Sequence, residues 1–566
     1  MTTTSPAGRV LHIRAGGQRL VVALAVAVIV AGCASSAAHH PSIATPARSP
    51  SGRVLLVGAW RGHPGAYRTI EAAAAAAKSG DWILIGPGDY HASPGAQNGV
   101  RLSTSNIHLR GMDRNRVIID GDRPGAASPC SPGARWQNLG PDGQGRDGVV
   151  VTDASQVSVE NLTICDFVGD GRGVQLSFDG GPTTGPSNLG AFGAAYVTTT
   201  ATAVSDHLNR LAQYGVYVSH PGGHGQITQS FASNMANSAF HVGACSDCDT
   251  VFDDVIASHS VIALSAIDAG GRLTIEQSTF QDNTSGIDLS SEEDESSPPP
   301  QDGTCPAGRT GPQAISPHSC TIIEHNRVHA NNNPDVPGGF AQGGILRFVG
   351  AGILIAGGRN DSILNNAVTG QGAYGVVITA YPWQGRPTNP TARCQGGVNV
   401  ISNQLCVFNA FGNVVANNTL TANGTFGNPT NSDLAEATLL QAPGNCFTSN
   451  TATTWQGPSS TPAGLQRPAQ QCGLASGGAI FGLLGAEVAC ATGALGPCTD
   501  GTTHSAVAPL ELLATPLHAS TSALTDPALA TASANYPSYR APTAPLPPSQ
   551  PTMPDPCSGV PTNPWC

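Results

Sequence analysis

Short apolar triplets recur along most of the chain, each followed by Gly, Asn or Asp. Gly215–Val218, Ala239–Val242 and Gly286–Leu289 hold corresponding places, with Ile262–Leu264 between the last two. A second apolar position returns at Ile227, Val251 and Ile275, in steps of 24 residues. The cadence resumes at Gly352–Ile355 and Gly375–Ile378, 23 residues apart. Asn rides on it in Ile323-x-x-Asn326-x-Val328, Ile363-x-x-Asn366-x-Val368, Val415-x-x-Asn418-x-Leu420 and Phe447-x-x-Asn450-x-Ala452. Helical repeats of this length need amphipathic helices of roughly ten residues, and the pattern contains none. Three short strands per 22–25 residues, with Asn at a turn that tolerates left-handed backbone, predict the coils of a parallel β-helix. Stacked Asn side chains then form hydrogen-bonded ladders inside the turn.

The remaining segments frame that solenoid. A helix is predicted from Thr69, its N-cap, through six alanines to Lys78, with Ser79-Gly80-Asp81 ending it. Trp82–Tyr90 follows as a strand and tight turn. The expected organisation is an N-terminal cap over 53–98, a β-helix over 99–455 and a C-terminal capping region over 456–505. Insertions are expected at 177–213 and 290–319, the latter carrying the acidic run Glu292–Glu295. Residues 506–566 are Ala/Pro-rich and read as a disordered tail running to a Cys557/Cys566 loop.

Residues 1–32 read as an export signal. Arg9, Arg14 and Arg19 precede the apolar run Leu20–Val30, which is short for a membrane span. Val30-Ala31-Gly32-Cys33 resembles the lipobox of bacterial lipoproteins, which implies lipidation at Cys33 and anchoring to the outer face of the cell membrane. Residues 33–52 then form a flexible Ala/Ser/Pro-rich tether. Export agrees with the cysteines: 15 in all, leaving an even 14 beyond Cys33. Neighbours in sequence are Cys245/Cys248, Cys305/Cys320, Cys394/Cys406, Cys490/Cys498 and Cys557/Cys566, with connectivity left open. Cys245 and Cys248 fit a structural bridge better than a metal half-site, since no second CxxC accompanies them.

Charge removes several function classes. Lys78 is the sole lysine, so neither a Walker loop nor a lysine general base in the coils is available. Beyond the leader, 23 basic residues face 37 acidic ones without a basic cluster, and no nucleic-acid partner is expected.

Strand alternation supplies a candidate site. With Val216/Val218, Phe240/Val242, Ile262/Leu264 and Ile287/Leu289 inward, the outward positions are Tyr217, His241, Ala263 and Asp288, preceded by Gln175. Tyr217 and His241 are then neighbours on adjacent coils, and Asp288 lies about 10 Å beyond His241. A phenol beside an imidazole is a pair suited to proton transfer with a sugar. The alternative is an exposed sheet face on which Tyr217 only stacks.

The segment Thr69–Tyr90 resembles the N-terminal cap of right-handed β-helix proteins of the pectin-lyase-like superfamily, and Asn106–Met112 with Val117–Gly121 resembles the first coil after it. Tyr214–Tyr217 and Ala239–Gly243 resemble exported bacterial proteins of parallel β-helix repeats. The resemblance spans about residues 53–455 and implies an all-β, right-handed solenoid acting on or binding polysaccharide. Hydrolase signatures fail: Gly223-His224-Gly225 and Asp253-Asp254 occur in reversed order and without Arg-x-Lys. A Ca²⁺-assisted lyase stays open, with Glu292–Glu295 as oxygen donors. Tyr214–Pro221 has the frame of a mannuronan-epimerase stretch but lacks its Asp. Two function classes remain: a glycan-engaging lipoprotein of lyase or epimerase type, and a non-catalytic structural or adhesion solenoid.

Overall fold

The computed structural model describes residues 52–468 and 549–566, except 94, 170–171, 183–184, 203–210, 291–319, 334–335, 338–349, 384–396, 402–404, 427–429, 439–443, 454–456 and 467. The leader, Cys33, the tether, the run Glu292–Glu295, and Cys305, Cys394, Cys490 and Cys498 lie outside these residues, as does the side chain of Cys406.

The described chain winds as a parallel β-helix. Three long sheets of 12, 11 and 11 strands form its faces, and each strand pairs with the equivalent strand of the next coil. One coil runs Asp147–Thr152 on the first face, Val157–Glu160 on the second and Thr163–Cys165 on the third. The right-handed sense is the one parallel crossovers take. Alternation puts one apolar column after another into the axis: Leu176, Val216, Phe240, Leu264, Ile287, Ile353, Val376 and Leu434 stack in register and are all fully buried. The helix Ile70–Ala76 closes the first coils by burying Ile70 and Ala73 in this core, with Thr69 accepting from the Ala72 amide. It ends at Ala77, which is extended, three residues earlier than the Gly80 stop implies.

The turn between second and third faces has two residues. The first adopts the left-handed region at His325, Asn365, Asn417 and Ser449, with φ between 55° and 58°. The ladder Asn is the second, so its role is hydrogen bonding and not backbone tolerance. Asn326 donates to Asn366 (3.0 Å), Asn366 to Asn418 (3.0 Å) and Asn418 to Asn450 (2.9 Å), each also reaching a backbone carbonyl one coil back.

Four expectations need correction. Residues 177–213 are not wholly an interruption: Val174–Asp179, Phe192–Ala195 and Thr198–Thr200 supply one strand to each face, and their Ala/Thr-rich sequences give little apolar signal. Ile227 pairs with Phe252, not Val251, because the turn before Phe252 is one residue longer. An unanticipated antiparallel ribbon, Tyr381–Trp383, Val398–Ile401 and Leu405–Phe408, leaves the solenoid after the coil at Tyr374–Thr379. The end of the supposed tail is also ordered. Residues 549–566 return to the first coils, where Trp565 is buried against Trp82, Leu84 and Met112 and donates Nε1 to the His63 carbonyl at 3.0 Å. Arg110 and Arg114 hold the same segment through the carbonyls of Ser558 (2.7 Å) and Pro551 (3.0 Å).

Disulfides join Cys245 to Cys248 and Cys557 to Cys566, and also Cys130 to Cys165, a pair 35 residues apart that sequence proximity does not reveal. Cys320 and Cys446 are disulfide-bonded as well.

Candidate functional site

The outward row of the first face reads Val150, Ser177, Tyr217, His241, Ser265, Asp288, Leu354, Val377, Ala435 from coil to coil. Its central polar section, Ser177 to Asp288, spans five coils, with Tyr217 and His241 inside it. Their rings stack at 4.7 Å between centroids with planes only 8° apart. Tyr214, three residues before Tyr217, lies 4.9 Å from that ring and 5.2 Å from the imidazole, both tilted by 56°. The two tyrosines are half-buried and His241 is 6% exposed, so the three rings form one surface with the imidazole at its floor.

Hydrogen bonds beneath the rings fix the imidazole tautomer. Asn237 donates Nδ2 to the Tyr214 hydroxyl (2.8 Å) and accepts on Oδ1 from Ser238 Oγ (2.9 Å). Ser238 has then used its single proton, so Ser265 Oγ donates to Ser238 Oγ (2.8 Å). Ser265 is left to accept from His241 Nδ1–H (2.8 Å). The proton count therefore places the imidazole proton on Nδ1 and the lone pair on Nε2. Gly243, two residues on, keeps the space beside Nε2 clear: a Cβ there would stand 2.9 Å from Nε2 and 2.6 Å from the Ile267 carbonyl oxygen. Burial pushes the His241 pKa down to about 3, so the ring is neutral through the physiological range. A neutral acceptor between two phenol-bearing rings suits a sugar, whose C–H face stacks on aromatics while a hydroxyl donates to Nε2.

All three expected residues fall on one row, with Tyr217 and His241 adjacent and Asp288 two strands beyond, the spacing expected. Tyr217 and His241 pair across adjacent strands, as strand alternation predicts. Asp288 lies two strands from His241, with Ser265 between them where Ala263 was expected. Ile262 pairs with Ser238, so the strand is set two residues further along than assumed. Gln175 does not line the row either. It is fully buried and clamps the Phe167 backbone, donating to its carbonyl at 2.7 Å. His241 is buried, not exposed, because Tyr214 and Tyr217 cover it. Tyr214, Asn237, Ser238 and Ser265 complete the network, and only the three-residue spacing of the two tyrosines marks any of them in the sequence. Among the described residues, oxygen-rich groups able to hold a cation gather elsewhere, around Asp120.

No family model matches the sequence, and no curated protein does. Solved structures overlap with it at low identity. A mannuronic-acid-specific polysaccharide family 6 lyase from human gut microbiota aligns at 12% identity over 67% of this chain and 76% of its own, with a TM-score of 0.38. The mannuronan C-5 epimerase A-module of Azotobacter vinelandii aligns at 13% over 70% and 93%, with 0.34. An E. coli bacteriophage tailspike protein in complex with a pentasaccharide aligns at 12% over 71% and 60%, with 0.40. The likeness is one of fold. Overlaps this partial carry no conclusion about substrate or chemistry, which rest on this chain's own side chains.

Proposed function

We propose that the chain is an exported protein, lipid-anchored through Cys33 to the outer face of the cell membrane, that binds polysaccharide across the first face of its solenoid. The observation that carries the binding is the Tyr214/Tyr217/His241 surface, where stacked rings flank a neutral imidazole with an open acceptor nitrogen. A long parallel face suits a chain-like ligand, since successive sugars meet successive coils. Titrating the intact protein with a panel of uronic-acid and neutral polysaccharides, and measuring bound glycan, tests it. Retention of no glycan in the panel would favour the structural or adhesion solenoid instead.

Modification of the glycan is a second reading, favoured by the Nδ1–H relay into Ser265. Nε2 would take the proton from the carbon beside a uronate carboxylate, and that carboxylate's charge would raise the imidazole's basicity on binding. In an elimination, the adjacent C–O bond breaks and a tyrosine phenol protonates the leaving oxygen. In an epimerisation, a phenol returns a proton to the opposite face of the same carbon. Asp288, two strands further along the row, would bind a sugar hydroxyl and would not share this proton. Ultraviolet absorbance of an unsaturated product, or inverted sugar configuration, separates these outcomes from binding alone. For the anchor, Cys33→Ser should release the protein from membranes, and unchanged partition with no acyl mass on the mature N-terminus would refute it.

A further inference from the structure

Arg146 ends the long loop that leaves the third face after Val117–Asp120, just before the first-face strand Asp147–Thr152. Its backbone is pinned on both sides. The amide donates to the Val168 carbonyl at 2.9 Å, and the carbonyl accepts from the Gly173 amide at 3.1 Å. The side chain is 1% exposed. Its stem lies against Gly140, where a Cβ would stand 3.0 Å from Cγ, and its guanidinium carbon is 5.6 Å from the centroid of the Phe167 ring. Nη1 reaches the Gly121 carbonyl at a long 3.5 Å. Nε and Nη2, both buried, have no hydrogen-bond partner among the described residues. Gln137, on the same loop and 6% exposed, likewise has no partner at either amide atom.

We propose that the Nε–Nη2 edge of Arg146 binds a small planar oxyanion of the carboxylate type, held in the corner between the third and first faces. Those two N–H groups are parallel and point to one side of the guanidinium, so they form the fork that two carboxylate oxygens fill. Two unmade bonds on a buried cation are costly, whereas an anion in the fork makes both and supplies a countercharge. The acids nearby are engaged elsewhere. Glu71, the acid whose charge acts on Arg146, accepts from the Ser93 amide on Oε1 at 3.1 Å and makes no bond to the guanidinium. Asp122, buried in the same loop, interacts with Asp166, Asp120 and His91. Asp142 pairs with Arg172 at 3.0 Å, and Asp147 accepts from the Val174 amide at 3.1 Å. Burial sets the size of the ligand. Both nitrogens are closed to solvent, so formate, acetate or bicarbonate suits the fork and an acidic oligosaccharide does not. The ion would enter as the loop 121–146 closes and would fasten that loop to the turn at Phe167 and Val168.

The intact mature protein, dialysed free of small carboxylates in chloride buffer, should bind radiolabelled formate at one equivalent per chain after prolonged equilibration. Formate should also raise the melting temperature above that in chloride at equal ionic strength. Arg146→Lys keeps the charge but replaces the fork with a point donor, and should weaken formate binding about tenfold or more. Arg272→Gln removes a distant, exposed arginine already paired with Asp247, and should leave formate binding unchanged. Direct binding to the wild type keeps the test decisive should Arg146→Lys fail to fold. Absence of saturable formate binding by the wild type, wild-type affinity in Arg146→Lys, or loss of binding in Arg272→Gln would each overturn the assignment.

Discussion

The Tyr217 ring lies flat on the His241 imidazole, 4.7 Å away on the neighbouring coil, and the imidazole's other edge is tied to Ser265. The stack and the bond together fix ring, tautomer and open nitrogen. Ser265→Ala takes away the acceptor of Nδ1–H and the donor to Ser238. Urea unfolding should show a loss of about 1–3 kcal/mol, and glycan affinity should fall with it. Ser265→Thr, which restores the hydroxyl, should recover most of both.

His241 also makes stability depend on pH. Its folded pKa of about 3 lies below the ordinary value, so the unfolded chain binds more protons between the two. Its contribution is therefore complete above about pH 6.5 and is lost as pH falls toward 3, with a slope of at most about 1.4 kcal/mol per pH unit. His241→Phe should flatten the stability profile in that window relative to wild type. Parallel profiles for the two proteins would show that the imidazole is not held neutral.

The two residues of each short turn should answer differently. Asn366→Ala removes the acceptor of Asn326 and two donated bonds, to the Ile323 carbonyl and to Asn418, and should cost about 2 kcal/mol or more. Asn365→Gly keeps the left-handed backbone at φ 56° and should stay within about 0.5 kcal/mol of wild type. Chemical denaturation of both variants makes the comparison.

The returning C-terminal segment should stabilise the first coils. Trp565→Ala empties a site lined by Trp82, Leu84 and Met112 and should cost about 3 kcal/mol where the cavity cannot collapse. Hydrogen exchange should locate the loss in Trp82–Ile85 and His108–Gly111.

Much of this architecture is legible in the sequence because a solenoid repeats its instructions. Val216, Phe240 and Ile287 fall on the inward column at a near-constant interval, which gives both strand and face. The strand Ile262–Ala269 is apolar at nearly every position, so alternation admits two settings two residues apart. Both keep Leu264 inside, but only pairing with the neighbours puts Ser265 beside His241. Burial is harder to read. An outward side chain is exposed only if nothing covers the sheet, and Tyr214 covers His241 while Leu354 and Val377, equally outward, are buried. Residues far apart in sequence are harder still: no local pattern ties Cys130 to Cys165, Asp122 to Asp166, or Trp565 to Trp82. The helix cap and the Asn ladders, by contrast, depend on neighbours within one turn or one repeat, and both follow from local spacing.

Glycan binding is proposed at the three-ring surface of Tyr214, Tyr217 and His241. Tyr217 is half-buried and makes no contribution to the axial core, so Tyr217→Ala should melt near the wild type while losing the stacking surface. Direct titration of both proteins with the polysaccharide that the wild type retains measures the difference. An affinity loss of about tenfold or more in a folded Tyr217→Ala protein is the expected result, a range typical of one stacked aromatic. Undiminished binding by that variant would contradict the assignment and move the glycan to another part of the molecule.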